Sequence, residues 1–456
     1  MTVVVRSRRL SSSVSEPQAR LWQREASAEF VFAGYSWRPE SGELTLNYRL
    51  DGIPMAERFV FPIKQDPSSA IPAHMRAAFD LLHWTAGISY WKAGCPQRIL
   101  FEGNVPDQWQ AEWLNRLYSR GLAEFAYRQD LPVSRLEVFA SSAVQPSSAP
   151  AVGLDDQLLV PMGGGKDSLV AWSRLNRMGR VAATVQVGQS ALIAQVAKRT
   201  GSLHLQISRT MDPKLGDLNR AGAFNGHVPI TAINSAVLIV MALLGGHGGV
   251  AFANERSADE PTRIAASGEA VNHQFSKSME FEVMLDKWIH RYIASDLRVF
   301  SMLRRDRELA ICRAFVDLEQ FHDVFSSCNR NFHLDGPQTA RWCGNCPKCR
   351  FVFLGLAPFV LPEKLSAIFG ADLLADSQQI SGFGELLALT GDKPFECVGE
   401  INEARSAIKA LSEQPSWRDH VVVQALASRL AGVEVAGLEE LCQPVGPHLI
   451  PERLLV

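Results

Sequence analysis

An excess of charge of either sign is what this sequence most plainly lacks. Its 456 residues hold 46 Lys and Arg against 48 Asp and Glu, a net charge of −2. A general nucleic-acid binder carries a basic excess to neutralise phosphates, so the balance argues against that class and leaves room only for a local basic patch. Long apolar runs are missing too. Met1-Thr2-Val3-Val4-Val5-Arg6 passes straight into basic and Ser-rich residues, short of the apolar run of a signal peptide. The longest apolar stretch, around Ala236 to Leu244, is too short for a bilayer; it ends at Gly245-Gly246 and reads as a buried helix. The expectation is a cytoplasmic protein with no membrane partner. There is no internal repeat and no coiled-coil pattern.

What is present is an ordinary globular mix, 46% apolar and 21% charged. The length suits two or three domains with a large core. Residues 1–28 read as a loose polar tail. Residues 29–140 read as an α+β N-terminal domain. There Leu44, Leu46 and Tyr48 alternate with Glu43, Thr45 and Asn47, and a Trp- and Tyr-rich stretch over 75–130 reads as helix with a strand insert. A Ser/Pro/Ala linker fills 141–152. Over 153–326 the periods alternate. Leu158 to Met162, Ala182 to Val187, Leu203 to Ile207 and Val250 to Ala253 read as strands. Asp167 to Met178, Ala191 to Arg199 and Pro229 to Leu244 read as helices. This predicts an α/β fold with a doubly wound parallel sheet. A cysteine cluster occupies 327–361. Residues 362–456 read as helical, with an extended patch at Pro394 to Val398.

Gly163-Gly164-Gly165-Lys166-Asp167-Ser168 falls between a predicted strand and a predicted helix. Glycines let the backbone approach a ligand, and the N–H groups opening the helix attract an anion. Lys166 adds a point charge for phosphate, Ser168 a donor, and Asp167 a helix cap or a Mg²⁺ ligand. The loop is neither G-x-x-x-x-G-K-[ST] nor G-x-G-x-x-G. Asn254-Glu255-Arg256-Ser257 follows the predicted strand at Val250 to Ala253, at the end where doubly wound sheets bind ligands. Arg256 suits a phosphate and Glu255 a Mg²⁺ ion, although a solvated loop has the same composition.

Cysteine is used unevenly. Cys343, Cys346 and Cys349 recur every third residue, and Cys328 lies fifteen before Cys343. In a reducing compartment four such thiolates suit a tetrahedral Zn²⁺, with an iron–sulfur cluster as the alternative.

The phosphate loop resembles S-G-G-x-D-S, the pyrophosphatase loop of the adenine-nucleotide α-hydrolase superfamily, with Gly163 or Met162 where those enzymes often have Ser. The cysteine cluster resembles the structural zinc site of 7-cyano-7-deazaguanine synthases. With His83 to Lys92, Asn272-His273-Gln274-Phe275-Ser276-Lys277 and Lys393 to Gly399, the ordered set resembles the UDP-N-acetylmuramoyl-L-alanyl-L-glutamate epimerase family of peptidoglycan synthesis, from about residue 28 onward. The resemblance implies conversion of the terminal L-Glu of UDP-MurNAc-L-Ala-L-Glu to D-Glu, with Mg²⁺ as cofactor and ATP consumed to give AMP and pyrophosphate. It also implies a pathway link to a ligase that adds L-Glu to UDP-MurNAc-L-Ala.

Epimerisation needs an acid and a base at Cα. Cys397, His273, Lys277, His227 and Lys92 are the candidates, since a thiol, an imidazole or an amine can move that proton. A lone Cys is more often packing, and His227 precedes a long predicted helix whose start it can simply flank. Trp84, Tyr90 and Trp91 are either a uracil platform or core. Two rival readings remain: another adenylating ATP pyrophosphatase, such as a deazaguanine ligase or a tRNA-modifying enzyme, and a nucleotide sensor that does not split ATP.

Overall fold

The computed structural model describes residues 24–140, 148–261, 263–264, 270–332, 340–390, 394, 396 and 398–455. Its main sheet is built from β1 (Glu29–Arg38), β2 (Glu43–Leu50), β3 (Ile53–Val60), β4 (Arg98–Phe101), β5 (Leu158–Pro161), β6 (Val181–Val187), β7 (His204–Thr210) and β8 (Gly249–Phe252). A two-residue ribbon, β9 (Arg263–Ile264) with β10 (Ala270–Val271), precedes the ninth strand of that sheet, β11 (Arg298–Ser301). The order across the sheet is β11-β8-β5-β6-β7-β3-β2-β1-β4.

From β11 to β7 every neighbouring pair is parallel. The chain starts this part at β5, steps outward through β6 and β7, then returns to lay β8 and β11 on the other side. The reversal leaves a crevice beyond the carboxyl ends of β5 and β8, where such sheets bind ligands. The remaining strands, from the region read as the α+β N-terminal domain, extend this same sheet and make it mixed. β3 pairs antiparallel with β7 through Phe59 and Arg209. β2 and β1 continue antiparallel, and β4 runs parallel to β1. The N-terminal strands thus cover an edge of β7 that would otherwise expose unpaired backbone donors. The architecture is α/β with a mostly parallel sheet.

Helices clothe both faces. They are α1 (Ala73–Ala86), α2 (Ile88–Trp91), α3 (Gln108–Gly121), α4 (Ala123–Gln129), α5 (Lys166–Arg177), α6 (Ala191–Arg199), α7 (Pro213–Arg220), α8 (Ile230–Gly245), α9 (Met279–Trp288) and α10 (Glu308–Val316). A C-terminal group follows: α11 (Pro347–Leu356), α12 (Pro362–Phe369), α13 (Ile380–Leu386), α14 (Ile401–Glu413), α15 (Val421–Arg429) and α16 (Leu438–Leu441). Alternation along the strands divides the core in two. Leu159, Val250 and Val299 join the cluster of α1, α3, α8 and α9. Leu158, Val160, Ala251 and Phe300 join that of α5, α10, α11 and α14.

The apolar stretch at Ala236 to Leu244 is the body of α8, which stops at Gly246 in the left-handed conformation, φ 70°. Among the described residues no helix is long and apolar enough to cross a membrane. Residues 141–147 of the expected linker lie outside the described residues. Its far end is held: the Asp296 carboxylate accepts the N–H groups of Val152, Gly153 and Leu154. The patch at Pro394 to Val398 is only partly described. There Glu396 N–H donates to Pro394 O and Val398 N–H donates to Glu396 O.

Candidate functional site

Pro161 ends β5 and the chain turns at once into α5. Gly164 takes φ +80°, a conformation that L side chains resist, and Gly165 becomes the N-cap. No side chain caps α5. Asp167 is therefore not the cap; it lies within the first turn and bonds Lys166 instead. Ser168 turns inward, its hydroxyl donating to Gly165 O at 3.1 Å while accepting the Gly163 N–H at 3.4 Å. It fixes the shape of the loop, and the opening N–H groups of α5 carry the attraction for an anion.

Lys166 is 1% exposed. Its ammonium is held by Asp167 and by Glu308, the first residue of α10. Burial opposes its charge, but the two carboxylates outweigh burial and hold its pKa well above the usual lysine value. Burial raises Glu308, which is 1% exposed, against the pull of Lys166. Burial likewise opposes ionisation of Asp167, but Lys166, Lys348 and Lys277 prevail and lower its pKa. A single carboxylate, Glu308, thus stands between two lysines, because Lys348 Nζ lies 3.8 Å from its Oε1.

The second loop leaves β8 beside the first. Asn254 donates to Ser301 Oγ at 3.0 Å, and the Arg256 N–H donates to Asp306 O at 2.9 Å. Glu255 is buried and contributes to the field that raises Glu308. Arg304, buried at the end of β11, fastens this region. It donates to Glu255 O at 3.0 Å, to Lys277 O at 2.6 Å and to the Glu282 carboxylate at 2.9 Å. One guanidinium thereby ties the Asn254–Arg256 loop to the turn that ends in Lys277. A cavity of about 440 Å³ has Arg174, Arg305, Asp306 and Leu454 in its wall and lies apart from the closed ion pairs of Lys166.

The cysteines converge. The sulfurs of Cys328, Cys343, Cys346 and Cys349 all lie within 4.8 Å of one another, and those of Cys343 and Cys349 are 3.7 Å apart. A tetrahedral ion with bonds of about 2.3 Å to sulfur needs sulfurs a little under ~4 Å apart, so this donor set fits one Zn²⁺. The knuckle abuts the 163–168 loop. Ser326 N–H donates to Gly164 O at 3.0 Å, and Cys328 N–H donates to Ser326 Oγ at 3.1 Å. Lys348 stands between the ligand candidates Cys346 and Cys349.

Four of the proton-transfer candidates share one neighbourhood. His227 feels the charges of Glu124, His273, Lys277 and Lys92, and Lys277 in turn acts on Asp167. His227 Nδ1 lies 3.4 Å from Glu124 Oε2, and burial pushes the imidazole down to about 4. Lys92 donates to Asn225 Oδ1 at 3.2 Å, and burial lowers it to about 8. His273 is buried. Cys397 lies outside the described residues. The aromatic platform is not present: Trp84, Tyr90 and Trp91 are at most 2% exposed and belong to the core.

Sequence reading missed Glu308, Lys348 and Arg304. A Glu opening a helix, a Lys between cysteines and an Arg after a strand all look like solvated charges. Burial separates Glu308 and Arg304 from that, and proximity to Glu308 separates the half-buried Lys348.

Comparison with known proteins agrees over nearly the whole chain. A model of the MurL N-terminal domain matches residues 22–302, and one of the MurL C-terminal domain matches residues 324–440. A protein of Xanthomonas oryzae pv. oryzae is 42% identical over 431 residues, covering 93% of this chain and 95% of its own. One from a Micromonospora species is 40% identical, covering 92% and 96%. One from Salinispora tropica is 40% identical, covering 93% and 94%. All three are named UDP-N-acetyl-alpha-D-muramoyl-L-alanyl-L-glutamate epimerase.

Proposed function

This chain belongs to the MurL family, and on that premise we propose that it epimerises the terminal L-Glu of UDP-MurNAc-L-Ala-L-Glu to D-Glu, splitting ATP to AMP and pyrophosphate. The observation that carries the ATP half is the uncapped start of α5 with buried Lys166 in its first turn. Helix N–H groups and a lysine suit phosphates, and the surrounding carboxylates would suit Mg²⁺. In this reading the parallel part of the sheet is an ATP-pyrophosphatase fold.

An α-proton beside a carboxylate is a very weak acid, because its removal would place two negative charges on adjacent atoms. Adenylation removes that obstacle. The substrate α-carboxylate attacks the α-phosphorus of ATP, and pyrophosphate leaves with the P–O electron pair. The mixed anhydride carries no carboxylate charge, so a base can take the Cα proton and an acid can return one on the opposite face. Water then cleaves the anhydride to the D-Glu product and AMP.

The residues divide accordingly. The opening N–H groups of α5 and the Lys166 ammonium oppose charge developing on the phosphates. Asp167 and Glu255 would hold Mg²⁺, which when bound supplies further charge neutralisation there. Arg256 supports the nucleotide from the second loop. Proton transfer falls to the group that includes His273 and Lys277, with Cys397 as the further candidate. His227 is neutral at physiological pH and can accept a proton, while Lys92 can exist in either form. The four cysteines hold a structural Zn²⁺.

The test is a pyrophosphate-release assay with ATP, Mg²⁺ and the UDP-linked dipeptide in D₂O, with chiral and mass analysis of the glutamate. Substrate-dependent pyrophosphate, D-Glu and deuterium at Cα are expected. D-Glu without deuterium would overturn the proton-transfer mechanism. D-Glu without pyrophosphate would overturn the ATP reading.

A further inference from the structure

We propose that Lys348 is a ligand of the ATP phosphates, carried to the phosphate loop by the cysteine knuckle; this rests on the ATP reading above.

Three observations meet at this residue. First, Lys348 Nζ reaches one oxygen of the Glu308 carboxylate, at 3.8 Å from Oε1, while Lys166 holds the other, Oε2. Lys166 is the lysine expected on phosphate, and Lys348 leans on the same counter-charge. Second, the Glu308 carboxylate that Lys348 approaches also pairs with Lys166, the first residue of α5, so Lys348 stands one ion pair away from the anion-attracting end of that helix. Third, the knuckle that holds it is fastened to the loop. Ser326 N–H donates to Gly164 O, and Ser327 packs on Gly165. Four sulfurs gathered within 4.8 Å of one another would, with an ion held among them, fix the backbone on both sides of Lys348, since Cys346 precedes it by two residues and Cys349 follows it directly.

Charge counting makes the lysine functional. Asp167, Glu255 and Glu308 crowd the crevice, and a triphosphate brings several further negative charges into it. Lys166 alone cannot offset these, even with a divalent ion on the carboxylates. Lys348 and Lys277 are further cations near Asp167, in addition to Arg256 of the second loop. Glu308 engages both Lys166 and Lys348, and phosphates at the loop would give the lysines a second, more highly charged partner. A purely structural lysine would neutralise Glu308 and do no more.

The experiment compares wild type, Lys348→Met and Lys348→Arg by calorimetric titration with Mg·ATP in the absence of the dipeptide. Zinc content and thermal midpoint are measured on the same samples. Lys348→Met should bind Mg·ATP at least about tenfold more weakly, with zinc content and midpoint unchanged, and Lys348→Arg should recover most of that loss. Binding by Lys348→Met within about twofold of wild type would overturn the proposal. So would a loss of zinc or of thermal midpoint in parallel with the loss of binding, which would make the lysine a structural part of the knuckle. Failure of wild type itself to bind Mg·ATP would overturn the ATP reading and this proposal with it, and is distinguishable from the other outcomes.

Discussion

Gly165 stands so close to Ser327 that a Cβ on the glycine would lie 2.5 Å from the serine hydroxyl. Gly165 has φ −95°, which any residue can adopt, so contact and not backbone conformation demands glycine there. Gly165→Ala should push the 326–328 segment off the loop and cost about tenfold or more in kcat/KM for pyrophosphate release. Ser327→Ala removes the clashing oxygen. The Gly165→Ala/Ser327→Ala pair should therefore be more active than Gly165→Ala alone. Equal loss in single and double variants would show that the glycine serves some other need.

Arg304 and Glu282 form a buried pair at 2.9 Å. Removing one partner of such a pair leaves an uncompensated charge, at a cost of about 3–5 kcal/mol. Glu282→Gln should be strongly destabilised in denaturant titration. Arg304→Met should in addition release the turn ending in Lys277. A loss under ~1 kcal/mol in Glu282→Gln would mean that water reaches the guanidinium.

Metal analysis of the purified chain should find one zinc per chain and no visible colour, the latter being the mark of an iron–sulfur cluster. Chelation, or Cys343→Ser, should remove the zinc and lower the thermal midpoint by several degrees. Because the knuckle touches Gly164 and Gly165, Mg·ATP affinity should fall in step with zinc content. Full ATP affinity in the zinc-free chain would separate the two sites.

His83 is buried under Phe32, Tyr35 and Tyr48, its Nε2 3.0 Å from Asn47 O. Burial lowers its pKa from 6.5 to about 4. Between those values the unfolded chain takes a proton that the folded chain refuses. Its contribution is complete above the unfolded value and is lost as pH falls through this window, by about 3 kcal/mol in the limit. His83→Gln should lie below wild type in thermal midpoint near neutral pH, and the gap should narrow toward about pH 5. A gap independent of pH would show that the ring is protonated in place.

The sequence by itself determined the elements and the two motifs. Period-two alternation at Leu44, Leu46 and Tyr48 marks a strand because one face of the sheet is buried, and glycines between β5 and α5 mark a turn that brings backbone to a ligand. Cysteine spacing marked the knuckle because three thiols within seven residues can meet one ion. Tertiary structure alone decided the rest. That β3 lies on β7 depends on which edge is left open, which no local pattern records. That Glu308 and Arg304 belong to the site depends on burial, which turns ordinary surface charges into paired ones with few alternatives, and that half-buried Lys348 belongs to it depends on its approach to Glu308. The convergence of His227, His273, Lys277 and Lys92 joins residues up to 185 positions apart. Distance along the chain carries no such information; only the folded sheet, with its reversal at β5, brings the loops to one crevice.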